Sequence, residues 1–228
     1  MQNLPTKAEV LVLDFDNCLI LDPETREGSE DLKKSAWFRV FPYEPGELSQ
    51  AIDEAYRQIA GGKGDRRDVV RFVLQRCGVL QVDEEEITRY CDSFNTLVQE
   101  GILQIGVSQE IRDTLAELNV RRIPLYINSA SPAESVEQSL KALRIFHHFK
   151  GIYGTPWTKE GNLRKIIHAE GVDPQQVIFV DDSAIAWNIA QAVGCQFIGI
   201  HTKANTAWHN GDTPFLVIRK LSELLEFF

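Results

Sequence analysis

The chain has 228 residues, of which 43% are hydrophobic, a formal net charge of −9 and an isoelectric point near 5.1; that is enough for one large soluble domain, or a core with a smaller insert. The acidic balance argues against a general nucleic-acid binder, which needs clustered Lys and Arg, and the scattered Cys18, Cys77, Cys91 and Cys195 form no CxxC pair, which argues against a zinc site or a disulfide framework. No apolar run approaches the roughly 18 residues of a membrane span and the start MQNLPTKAEV lacks a signal-peptide core, so no membrane partner and a cytoplasmic setting are expected.

The first element is EVLVLDFDNCL, residues 9–19, in which Val10 to Leu13 run straight into Asp14 and Asp16. A continuous apolar run suits a strand buried on both faces of a parallel sheet, where chemistry collects beyond the carboxyl ends of the strands. The polar stretch LDPETREGSEDLKKS then reads as a linker leaving the sheet. Helical spacing returns over 46–60 (Leu48, Ile52, Ala55, Tyr56, Ile59), again after Asp65 toward Gly78, and a third time from Asp83, with Glu86 completing an Asp variant of the capping box.

Beyond Gly106 the pattern alternates: helix 108–119, strand 123–128, helix 131–143, strand 151–153, helix 159–170, strand 177–180, helix 184–193, strand 196–200, strand 215–218 and helix 221–227. Alternation implies a parallel sheet. The predicted architecture is a doubly wound α/β core of residues 1–21 and 106–228, with an all-helical insert, 22–105, placed after the first strand.

Three strand ends share one character: Asp14 and Asp16 after VLVL, Asn128 and Ser129 after PLYI, and Asp181 and Asp182 after VIFV. Parallel strands bring these to one sheet edge, where the clustered carboxylates would repel one another. A magnesium ion, which takes oxygen ligands and keeps waters for a substrate phosphate, resolves the conflict. Ser131, followed by Pro132 and Glu134, reads as the N-cap of the next helix, and His147 with His148 reads as a solvated turn. Cys18 reads as a packing residue.

With these strand ends placed, the chain resembles the haloacid dehalogenase superfamily, specifically its phosphohydrolases with a helical cap. The motifs that carry the resemblance are DFDNC (Asp14 to Cys18), INSASP with Ser129, TKEGNL with Lys159, and VIFVDDS with Asp181 and Asp182. It implies Asp14 as the nucleophile that forms an aspartyl phosphate and Asp16 as the general acid and base. It implies Mg²⁺ held by Asp14, the backbone carbonyl of Asp16, Asp182 and Asp181. Ser129, Asn128 and the backbone amides near Phe15 and Asn17 would bind phosphate, and Lys159 would neutralise phosphoryl charge and orient Asp14. Where many members have Gly-Thr after the second Asp, this chain has Asn17 and Cys18, so Asn17 must bear a positive φ. Where many have an Asp four residues after Asp182, it has Ala186, matching the branch in which two adjacent acids supply the metal site.

The resemblance implies a Mg²⁺-dependent phosphomonoesterase acting on a small phosphorylated metabolite of the phosphoglycolate, nucleotide or sugar phosphate kind, as a monomer or homodimer. A phosphosugar mutase on the same fold, or a catalytically silent phosphate-binding protein, stays open beside it. Within the insert, GGKGDRR offers Lys63 and Arg66 to a second anionic group on the substrate, or else is a solvated turn that opens the helix at Asp65. Trp37, Phe38, Phe41 and Tyr43 offer a stacking surface for a base or ring or, as the favoured expectation, an apolar seam between cap and core.

Overall fold

The structure is a computed structural model that describes residues 5–59, 64–208 and 211–228. The chain divides into two compact units, Met1–Ser29 with Leu103–Phe228, and Glu30–Ile102.

The first unit is built on six parallel strands, β1 (Val10–Leu13), β2 (Leu125–Pro132), β3 (Gly151–Thr155), β4 (Val177–Asp181), β5 (Gln196–Ile200) and β6 (Leu216–Ile218). Their order is β3-β2-β1-β4-β5-β6. Four helices follow strands in the same unit or precede them: α5 (Gln109–Val120), α6 (Ala133–Ala142), α7 (Lys159–Glu170) and α8 (Ala184–Val193); α1 to α4 belong to the insert described below. Val10 to Leu13 are fully buried, as a central strand covered on both faces must be, and Val12, Tyr126, Phe179, Leu163 and Ile166 pack in one apolar cluster. The strand order reverses direction between β1 and β4, the place where doubly wound sheets open a crevice. Leu13 pairs with Ile127 on one side and with Val180 on the other, so the next residue on each strand, Asp14, Asn128 and Asp181, stands at one level of the sheet edge.

The second unit holds four helices, α1 (Ser29–Val40), α2 (Pro45–Ile59), α3 (Arg66–Arg76) and α4 (Glu84–Ile105), the first and last of which cross its boundaries. Its core is aromatic and aliphatic. Trp37 stacks on Phe94 with ring centroids 3.9 Å apart, and Phe41 stacks on Tyr90 at 4.8 Å. Leu48, Ala55, Val70, Leu74 and Ile87 fill the rest.

Four sequence expectations need correction. The stretch expected to be a linker ends in α1, because Leu32, Ala36, Trp37 and Val40 recur on one helical face beneath a polar exterior. The aromatic seam is in large part this unit's own core, since Trp37 and Phe41 pack on Phe94 and Tyr90, whereas Phe38 is exposed. The strand expected to stop at Asn128 continues to Pro132, so the helix begins at Ala133 with no side-chain cap, and Ser131 is not its N-cap. His148 is likewise less solvated than expected: its ring nitrogen Nδ1 lies 2.8 Å from Asn119 Oδ1.

Candidate active site

Asp14 is 3% exposed and Asp181 fully buried at the edge shared by β1 and β4. The N-terminus of α7 brings Lys159 to both: its Nζ lies 2.9 Å from Asp14 Oδ1 and 2.5 Å from Asp181 Oδ2. Local sequence places this lysine. Thr158 caps α7 by accepting from the Gly161 amide at 3.1 Å, which fixes Lys159 at the first helical position. The Asn128 side chain donates to the Lys159 carbonyl at 2.9 Å and accepts from Asn162 at 3.1 Å.

The remaining oxygen of Asp181 accepts from the Ser183 amide at 2.9 Å and its hydroxyl at 2.8 Å. Ser183 also caps α8, accepting from the Ala186 amide at 3.2 Å. Ser183 thus serves both the start of α8 and Asp181. Asp182 accepts from Asn17 Nδ2 at 2.9 Å. Asn17 adopts φ 54, the left-handed conformation expected of it.

Electrostatics at this edge are set by burial and crowding. Burial pushes the Asp14 carboxyl well above the usual carboxylate range; Lys159 opposes that push, while Asp181 and Asp16 add to it. Burial would lower the Lys159 ammonium, but Asp14 and Asp181 outweigh it and hold the group above its ordinary value. Burial, with Asp14, Asp181 and Asp182 adding, also raises the Cys18 thiol far from any reactive state.

Asp14, Asp181 and Asp182 each offer an oxygen, all within 4.8 Å of one another. Three carboxylates face one ammonium, and burial pushes the most confined of them, Asp14, toward protonation. An all-oxygen donor set with surplus negative charge fits a hard divalent cation such as magnesium. Lys159 and Ser183 already meet both oxygens of Asp181, as Lys159 meets Asp14 and Asn17 meets Asp182.

Asp16 forms a second polar centre. Its Oδ1 accepts from Ser29 Oγ at 2.6 Å, and its Oδ2 from Ser131 Oγ at 2.7 Å and Ser129 Oγ at 3.4 Å. Ser129 is buried and also accepts from the Ser131 amide at 3.0 Å. Asn17 links the two centres, since its amide donates to Ser29 Oγ at 3.3 Å while its side chain reaches Asp182.

The structure thus gathers Asp14, Lys159, Asp181 and Asp182 around one point and Asp16 with Ser129 beside them. The Phe15 ring is buried, and the Asn128 amide is committed to Lys159 and Asn162. Arg66 lies in the other unit and is not on a loop. Asp65 opens α3 with a capping box to Asp68, so Arg66 is the first helical residue; its guanidinium sits 4.6 Å over the Phe94 ring and donates to Asn95. Lys63 lies outside the described residues. Ser29 and Asn162 carried no local signal, because each acts through a partner distant in sequence, and Ser183 was overlooked beside the acidic pair that precedes it.

The family model for haloacid dehalogenase-like hydrolases matches residues 12–200. A phosphoglycolate phosphatase of Escherichia coli (strain K12) is 30% identical over 95 residues, which cover 40% of this chain and 38% of that protein. The match therefore spans well under half the length of the curated relative. Among solved structures, a β-phosphoglucomutase from Clostridium difficile superposes with a TM-score of 0.63 at 17% identity, covering 95% of this chain and 93% of that one. YfnB from Bacillus subtilis, bound to magnesium, gives 0.66 at 19% identity, covering 97% and 98%. At such identities these two attest the fold alone.

Proposed function

The chain belongs to the haloacid dehalogenase-like hydrolases, and from that premise we propose that it is a magnesium-dependent phosphomonoesterase acting on a small phosphorylated metabolite through an aspartyl phosphate on Asp14. The observation that carries the proposal is the contact of one ammonium, Lys159, with both Asp14 and Asp181 at the sheet edge where Asp182 also converges.

In this reading an oxygen of Asp14 attacks phosphorus as the bond to the leaving oxygen breaks, dividing one hard displacement into two. Lys159 neutralises charge on the phosphoryl group, and Asp181 holds that ammonium in place by a charge-assisted hydrogen bond. Ser129 and the backbone amide of Phe15 grip phosphate oxygens. Asp16 protonates the leaving oxygen, then takes a proton from the water that hydrolyses the aspartyl phosphate. Asp14 and Asp182 would hold the magnesium ion, with the carbonyl of Asp16, and when bound it screens the substrate's charge from the nucleophile. Asn128, whose side chain is turned to Lys159 and Asn162, acts by fixing the start of α7.

The test is phosphate release from a panel of phosphorylated metabolites, phosphoglycolate first because of the curated relative. Release should require Mg²⁺, stop with chelator and stop in Asp14→Asn. Release that survives Asp14→Asn would refute the nucleophile assignment. A sugar phosphate converted to its isomer with no free phosphate would make the protein a mutase, and no turnover of any substrate would favour a phosphate-binding role. The expected partners are small phosphorylated metabolites; among the described residues no helix is long and apolar enough to cross a membrane.

A further inference from the structure

Ser29 is the feature of this centre that no family motif in the sequence covers. It is the first residue of α1 and is fully buried. Its hydroxyl has a fixed sense: Oγ accepts from the Asn17 amide at 3.3 Å, so its own proton is directed to Asp16 Oδ1 at 2.6 Å. The approach is enforced by the residue before it, because a Cβ on Gly28 would stand 2.2 Å from Asn17 Oδ1 and 2.8 Å from the Ile20 carbonyl. Only a glycine lets the segment press onto the loop after β1 and deliver Ser29 to Asp16.

The two oxygens of Asp16 therefore have different surroundings. Oδ1 faces the buried Ser29, which an amide holds from behind. Oδ2 faces Ser129 and the half-buried Ser131, on the side of the β2 edge. We propose that Ser29 is a positioning residue for Asp16: by pinning Oδ1 it fixes the side-chain torsion and presents Oδ2 as the oxygen that gives the proton to the leaving group and takes one back from water. The proposal rests on the reading of Asp16 as general acid and base. In the first step the Oδ2–H bond breaks and its proton goes to the leaving oxygen as the P–O bond to that oxygen breaks and the Asp14–phosphorus bond forms. In the second, water adds to phosphorus, the Asp14–phosphorus bond breaks, and the proton released by water returns to Oδ2. Ser29 gives up no proton in either step.

A misoriented acid costs most where the leaving oxygen most needs a proton. The full-length chain with Mg²⁺ should be assayed on a series of substituted phenyl phosphates, reading kcat/KM against leaving-group basicity. In Ser29→Ala the loss should be about 10- to 100-fold for the most basic leaving groups and within about 3-fold for p-nitrophenyl phosphate, with KM held. Ser29→Cys is slightly larger and donates weakly, so its slope should fall between wild type and Ser29→Ala; it also serves if Ser29→Ala does not fold. Equal loss across the series in both variants, or no loss, would overturn the proposal. Asp16→Asn separates the two levels: a steeper dependence there with none in the Ser29 variants overturns the positioning role alone, whereas an unchanged dependence in Asp16→Asn overturns the acid/base reading and the positioning role with it.

Discussion

In the helical unit every buried side chain among the described residues is apolar or aromatic, whereas the α/β unit buries Asp14, Asp16, Asn17, Ser29, Asn128, Ser129, Asn162 and Asp181 along one edge of its sheet. Burying a polar group costs about 1–3 kcal/mol unless it is hydrogen-bonded, and burying a charge costs more. The α/β unit meets that cost by reciprocity: Lys159 between two carboxylates, Ser183 on the far oxygen of Asp181, Ser29 and Ser131 on the two oxygens of Asp16. Charges in the helical unit stay at its surface, as in the Arg67–Glu84–Arg71 cluster. The contrast is physical: one unit is packed for stability, and the other holds an arrangement that stability alone would not choose.

Substitutions should therefore separate the two units by what they damage. Asp14→Asn removes a carboxyl that burial, Asp181 and Asp16 all disfavour as an anion, so phosphate release should fall by at least about 10³-fold while the metal-free melting temperature does not drop. A large loss of stability in that variant would break the contrast. Trp37→Ala takes out the ring stacked on Phe94 and should cost about 3–5 kcal/mol in urea unfolding of the helical unit; a cost under about 1 kcal/mol would mean that this core is not what holds the unit.

Acid should weaken the metal site. The Asp14 carboxyl titrates above its ordinary value in the metal-free protein, so a proton competes with Mg²⁺ over that interval. Apparent Mg²⁺ affinity should rise about tenfold per pH unit while Asp14 is still protonated, level off above that range, and be accompanied by proton release in calorimetry run in two buffers. Pull-down of affinity with rising pH, or no proton released, would contradict the assignment. At the small end, Glu84→Gln should leave melting temperature and activity unchanged at neutral pH. Hydrogen bonds from Arg71 and Arg67 hold the Glu84 carboxyl below its usual range, which stabilises only above its unfolded pKa and fades as pH falls through the folded one, but the group is exposed and solvent screens the gain.

The comparison also explains what could be read from sequence. Strand ends were legible because VLVL, PLYI and VIFV each run straight into acidic, amide or hydroxyl residues, and parallel pairing aligns them without further information. Helix α7 was legible because Thr158 caps it and Gly171, at φ 68, stops it. Helix α1 was not, because its early turns, SEDLKKS, are polar and its apolar face is narrow until Trp37. Ser131 was misread because Ser-Pro-x-Glu is also a helix-start pattern, and only the continuation of β2 to Pro132 decides against it. The bond from Ser29 to Asp16 depends on the path of the turn between them, with Asp22 and Glu27 closing it by a backbone hydrogen bond of 2.8 Å. Side-chain partnerships of this kind are fixed by chain path, and no local pattern announces them.

The most direct test is chemical trapping of the intermediate. Wild-type protein mixed with Mg²⁺ and a substrate labelled in its phosphoryl group, then quenched in acid within the first turnover, should carry label that hydroxylamine releases and that maps to the peptide containing Asp14; Asp14→Asn should carry none. Turnover with no protein-bound label in the first cycle, or label on any other residue, would contradict the account.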